Sequence, residues 1–186
     1  IASCLVGSEM CIRDRCDGAL QKLAEVTQDT IYLSERSGLE AVCTHRALGD
    51  YPIKSLALDV GIRRPLGVGA GGLAILCALP PDEAESIIDA NAPKYEKYGF
   101  VTAPYLREAI KVGRDKGYAF LDSVVTPGTA AIGIAFPPDN PIAAISVAAI
   151  SGRLESHRRD EVARLMRPQI RSICEAMTNQ AVLADR

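Results

Sequence analysis

The sequence predicts an α+β domain built on an antiparallel sheet. Three observations carry that reading. Strand-like runs fall in two consecutive groups joined by turn signals, helical patterns lie between and outside those groups, and the last two strand runs are apolar almost throughout, like central strands covered on both faces. The expected order is helix, two or three strands, three helices, three strands, helix, in one domain.

Taken in order, Cys16 to Val26 places apolar residues at 16, 19, 20, 23, 24 and 26 with Asp17 in the first turn, the pattern of a short helix. Thr30 to Ser34 and Leu39 to His45 are alternating or β-branched runs separated by ERSG, whose Gly38 suits a tight turn, so they form a hairpin. A short strand is expected over Tyr51 to Leu56. Gly69 to Leu79 is uniformly apolar and is stopped by Pro80 and Pro81, a buried helix with a glycine-rich entry. A second helix follows over Asp82 to Ala90. A third spans Thr102 to Asp115, capped by Thr102 and closed by Gly117. Strands are then expected in Tyr118 to Val125, Thr129 to Phe136 and Pro141 to Ile150. The chain finishes in a helix from about Ser156 to Thr178, with Pro168 inside it as an expected kink.

Composition removes several function classes. Lys plus Arg number 21 and Asp plus Glu 23, a net charge of −2, so nothing attracts phosphates over long range and nucleic-acid binding by this chain alone is disfavoured. The apolar run Ala143 to Ile150 is far shorter than the roughly 18 residues a membrane span needs. The six cysteines at 4, 11, 16, 43, 77 and 174 contain no CxxC pair and have only His45 and His157 as imidazole company, which argues against structural zinc and for free thiols in a reducing compartment. Residues 1 to 15, IASCLVGSEMCIRDR, lack a start Met, a basic lead, a cleavage site and a sustained period. They are read as a non-native or read-through segment, and the chain as a fragment whose domain proper is 16–186.

Gly67, Gly69 and Gly72 make a formal GxGxxG, but Pro65 lies just upstream and the following helix ends in another helix, so the dinucleotide-binding context fails. What remains is a glycine-rich helix start whose N–H groups suit a carboxylate, with close backbone packing as the plain alternative. Asp122 and Ser146 are polar residues in apolar strands, where a ligand pocket places its orienting groups. Their plain alternatives are a surface carboxylate and a satisfied core hydroxyl. Cys43 and Cys77 read as small core residues; paired with His45, one would make a nucleophile, although no orienting third residue is in view. The arginines of the last helix alternate with acids, the mark of a solvated, salt-bridged face.

Several stretches together resemble the effector-binding domain of IclR-family transcriptional regulators: DTIYLSERSGLEAV, VGIRRPLGVGAGGLAILCALP, VGRDKGYA, Pro127-Gly128 followed by IGIA, and AAISV with Arg153 shortly after. They span the chain from about Cys16 to its end in the family's order. The resemblance implies a GAF-like or profilin-like antiparallel sheet of about six strands with helices on both faces. It also implies a homodimer or tetramer in the cytoplasm, without catalysis or cofactor, that senses a small organic or aromatic acid. DNA would be bound only through an amino-terminal winged helix-turn-helix domain outside this chain.

Position by position, Gly69, Ala70 and Gly71 would offer backbone N–H groups, Ser146 a hydroxyl, and Asp122 would fall near an acidic pocket position. Ala131 and Ala148 stand where some members carry Cys and Ser, Gly72 where many carry Lys, and Gly67 where His is common. The resemblance therefore implies a less polar pocket suited to a larger or more apolar acid. Two competing readings are an enzyme built on Cys43, His45 or Cys77, recognisable by a sulfur within reach of a His ring in a cleft, and a purely structural dimerisation module. A cavity below roughly 100 Å³, far under the 300 to 1,000 Å³ usual for ligand pockets, would favour the latter.

Overall fold

The structure, a computed structural model, describes residues 3–184, and the side chains of residues 12–178. The sequence reading of residues 1 to 15 as non-native falls largely outside the described side chains. The first helix, α1 (Ser3–Thr27), starts earlier than the periodicity from Cys16 indicates, and its residues Ile12 and Cys16 both lie in the core.

A hairpin follows, β1 (Thr30–Ser37) and β2 (Glu40–Leu48), with Gly38 at φ 62° in its turn. The stretch Tyr51 to Leu56 is not a strand. It belongs to an irregular connection, and the third strand is instead β3 (Arg63–Pro65), pairing with the start of β2. Three helices come next: α2 (Ala70–Ala78), α3 (Pro81–Tyr95) and α4 (Ala103–Lys116). The last is capped as its sequence requires, with the Thr102 hydroxyl accepting from the Tyr105 N–H and Gly117 left-handed at the other end. Then come β4 (Ala119–Asp122), β5 (Thr129–Phe136), β6 (Ala143–Ile150) and α5 (Ser156–Ala184), which contains Pro168.

The six strands form one antiparallel sheet in the order β3-β2-β1-β6-β5-β4, so the fold is α+β as expected, with helices on both faces. Strand alternation divides the residues between the faces. Ile145 and Val147 of β6 and Ile31 and Leu33 of β1 turn towards α1 and α5. On the other face, Ala144 packs with Leu73, Ile75 and Leu76 of α2 and with α3 and α4. Helix α2 lies directly on the sheet because Gly133 in β5 has no side chain: a Cβ there would sit 2.4 Å from the Ala70 carbonyl oxygen. No helix among the described residues is long and apolar enough to cross a membrane.

Candidate functional site

Beside the start of helix α2 a cavity of about 80 Å³ lies on the sheet, beneath the connection that carries Ser55, Ala57 and Leu58. The floor is a run of neighbouring strand positions. Ser146 of β6 sits opposite Tyr32 of β1 and Gly133 of β5, and Ala148 sits opposite Ala131. Because side chains alternate, Ser146, Ala148 and Ala131 all turn to this one face. Gly69, Ala70 and Gly71 form the cavity's helical wall. Six of the seven positions singled out from sequence thus line one space.

Asp122 does not join them. Leu121 of β4 turns into the cavity, so its neighbour turns out, and the exposed carboxylate accepts the hydroxyls of Ser123 at 3.0 Å and Ser151 at 2.6 Å. It is a surface carboxylate tying β4 to the end of β6.

The α2 start has the features of an anion site. Gly69 precedes the helix at φ 84° and offers no side-chain cap, and the first helical bond runs from the Leu73 N–H to the Gly69 carbonyl. The N–H groups of Ala70, Gly71 and Gly72 are left without helical acceptors, at the positive end of the helix dipole. Two hydroxyls stand beside them. A Cβ on Gly71 would fall 2.9 Å from the Ser34 Oγ and 3.8 Å from the Ser146 Oγ. Both serine residues are more than nine-tenths buried, neither hydroxyl bonds to another described residue, and neither is among the fully enclosed polar atoms, so both open onto the cavity.

Ser34 escapes sequence reading because it sits in the polar stretch SERS. Arg64 escapes for a similar reason: next to Arg63 it looks like one of a surface pair. In the fold, Arg63 turns out to Glu40 and Ser37, while Arg64, opposite Ala41, turns in and lines the cavity. Arg64 and Ser34 make the space more polar than the alanines at 131 and 148 imply, and its volume does not suit the larger, more apolar acid expected from them.

A bulge settles the arrangement of Cys43 and His45. Spaced by two, they should share a face, but β1 Leu33 pairs with His45 while Ser34 pairs with Cys43, leaving Thr44 as the extra residue. Cys43 therefore lines the cavity, and His45 turns to the opposite face, where its Nε2 lies 2.7 Å from Asp17 Oδ1 of α1. Burial pushes the Cys43 thiol up to about 11, and its nearest acceptor is the His45 backbone carbonyl, not the ring. Cys77 is likewise raised, to about 12 by burial, and faces the Ile110 carbonyl at 4.0 Å. Neither is poised as a nucleophile at neutral pH. No group of His, Cys, Asp or Glu among the described residues could hold a metal ion.

The chain belongs to the family described as bacterial transcriptional regulator IclR C-terminal, whose model matches residues 4–175. Solved structures carry the same fold. An IclR from Thermotoga maritima superposes with a TM-score of 0.77 at 20% identity, covering 89% of this chain and 68% of that one. The repressor BlcR of Agobacterium tumefaciens gives 0.72 at 18%, covering 88% and 65%. The C-terminal domain of a transcriptional regulator from Vibrio cholerae gives 0.67 at 22%, covering 86% and 94%. A comparison with curated proteins returns no match.

Proposed function

We propose that this chain is the small-organic-acid sensing and oligomerising domain of an IclR-type transcriptional regulator, acting without catalysis or cofactor. In this reading it works in the cytoplasm as a homodimer or tetramer and controls DNA binding by a domain outside residues 16–186. The observation that carries the sensing role is the pair of hydroxyls, Ser34 and Ser146, that face the cavity beside the uncapped start of α2 without a protein partner. Hydroxyls that no protein group engages can donate to a ligand. A helix start gains from an anion. One carboxylate satisfies the two hydroxyls and the helix start together.

Oligomerisation is supported by Leu48, Ile53, Leu56, Val60 and Ile62, apolar side chains that stand exposed along a single segment. Membership in a regulator family and the geometry at Cys43 and His45 both support a non-catalytic role.

The test is thermal-shift and calorimetric screening of the folded protein against small carboxylates. A saturable rise in Tm with at least one acid, absent with its amide, is expected; no stabilisation by any acid counts against the proposal. The second reading, a structural dimerisation module, is favoured by the cavity's volume of about 80 Å³. The first reading is favoured over it by the two cavity-facing hydroxyls that no described residue engages beside the uncapped helix start.

A further inference from the structure

The cavity holds a cation that the acid-sensing reading does not use. Arg64 is half-buried on β3 and lines the cavity. Its Nη2 donates to the Ala57 carbonyl of the covering connection at 2.5 Å. No carboxylate among the described residues lies in ion-pair range of it. The other arginines of this region are neutralised: Arg46 pairs with Asp59 at 2.8 Å, Arg63 with Glu40 at 3.1 Å and Arg36 with Glu83 at 2.6 Å. Arg64 alone of these keeps its charge unmatched, and its guanidinium has further N–H donors beyond the one given to Ala57.

Its place in the sheet separates it from the helix start. Ser34 and Ser146 sit on β1 and β6, whereas Arg64 sits on β3, two strands from β1 and at the sheet edge. Strands are about 4.8 Å apart, so the two anion-attracting features rise from different ends of the floor. Between them the floor is Ala41 and Cys43, small side chains without charge.

We propose that Arg64 is a specificity-determining residue that reads a second anionic group, so that the cavity prefers a small dicarboxylate to a monocarboxylate of the same length. One carboxylate takes the N–H groups of α2 with the Ser34 and Ser146 hydroxyls, and the other takes the Arg64 guanidinium as a charge-assisted pair. Because Arg64 also holds Ala57, the second carboxylate bears directly on the connection that covers the cavity.

This inference rests on the acid-sensing reading, and the test keeps the two apart. Malonate is compared with propionate, and succinate with butyrate, by calorimetry at matched ionic strength on the wild-type protein, Arg64→Gln and Arg64→Lys. A dicarboxylate is expected to bind the wild type about tenfold more tightly than its monocarboxylate partner, the scale of one added charge-assisted bond. Arg64→Gln should bring the affinity for each dicarboxylate down to that for its monocarboxylate partner, and Arg64→Lys should retain part of the preference. If monocarboxylates bind wild type as well as dicarboxylates do, or if the preference survives in Arg64→Gln, the role of Arg64 is overturned while acid sensing stands. If no acid binds wild type, acid sensing itself fails and the inference with it. Near-UV circular dichroism verifies that each variant is folded; should Arg64→Gln not fold, Arg64→Met and the wild-type ratio decide.

Discussion

Ser146 and Ser34 are expected to act on binding rather than on stability. The Ser146 hydroxyl bonds to no other described residue, so Ser146→Ala should leave the Tm of the free protein nearly unchanged. The same change should weaken carboxylate binding by about 0.5 to 1.5 kcal/mol, one neutral hydrogen bond. Paired thermal melts with and without the best acid measure both; a lower free Tm with unchanged binding would make Ser146 an ordinary core residue. Cys43 gives a pH prediction. Its thiol titrates near 11 in the fold and near 9.0 in the open chain, because burial disfavours the thiolate. Between those values the unfolded chain loses a proton that the folded one keeps, so stability should fall as pH rises from 9 towards 11, by at most about 1.4 kcal/mol per unit from this group. The urea midpoint followed across that window should decline less in Cys43→Ala, relative to its own value at pH 8. At this scale Ser146 was legible because it interrupts an apolar strand. Ser34 and Arg64 were not, because their neighbours are polar and only the hairpin register shows which way they turn.

The helices and long strands declared themselves through periodicity, caps and breakers: Thr102 and Gly117 bracket α4, and Gly38 turns the first hairpin as read. What failed was short or irregular. Strand β3 has three residues, two of them Arg and one Pro, which is below the length at which alternation can be seen. The bulge at Thr44 has no sequence mark at all, yet it sends Cys43 and His45 to opposite faces and dismantles the nucleophile suggested by their spacing. Two elements depend on one contact that can be tested. Gly133→Ala would drive its Cβ to 2.4 Å from the Ala70 oxygen, lifting the first turn of α2 from β5. We expect a loss of about 1 to 3 kcal/mol in urea unfolding, the usual cost of overpacking, together with a weaker acid response. A variant as stable and as responsive as wild type would show that α2 does not need this close approach. The ends of α1 and β6 are joined by Asp29, which is buried and accepts from Arg153 at 2.8 Å and from Arg158 at 3.3 Å. Asp29→Ala leaves Arg153 without its carboxylate and Arg158 with only Glu161, at 4.0 Å. A cost on the order of 2 kcal/mol is expected, below the roughly 3 to 5 kcal/mol of fully buried pairs because both arginines reach solvent.

For the whole molecule, the sheet with helices on both faces and the family were within reach of the sequence, since they rest on the order of many elements and on motifs spread along the chain. The cavity was partly so: six of its lining positions could be named, while its size and its charge could not, because both follow from a loop laid over the sheet. The connection over the cavity is held by side chains of the sheet, Tyr32 on the Ser55 carbonyl at 2.6 Å and Arg64 on that of Ala57, so the proposed ligand would meet the groups that hold it down. Light scattering should report a mass of two or four chains, with the exposed apolar segment from Leu48 to Ile62 as the region whose charged variants dissociate it. The central claim is that a carboxylate belongs at the start of α2, and the most direct measurement is a crystal structure with the acid that most raises the Tm. We expect one carboxylate within hydrogen-bond distance of the Ala70 or Gly71 N–H and of the Ser34 and Ser146 hydroxyls; an acid bound elsewhere, with both hydroxyls still unpartnered, would contradict it.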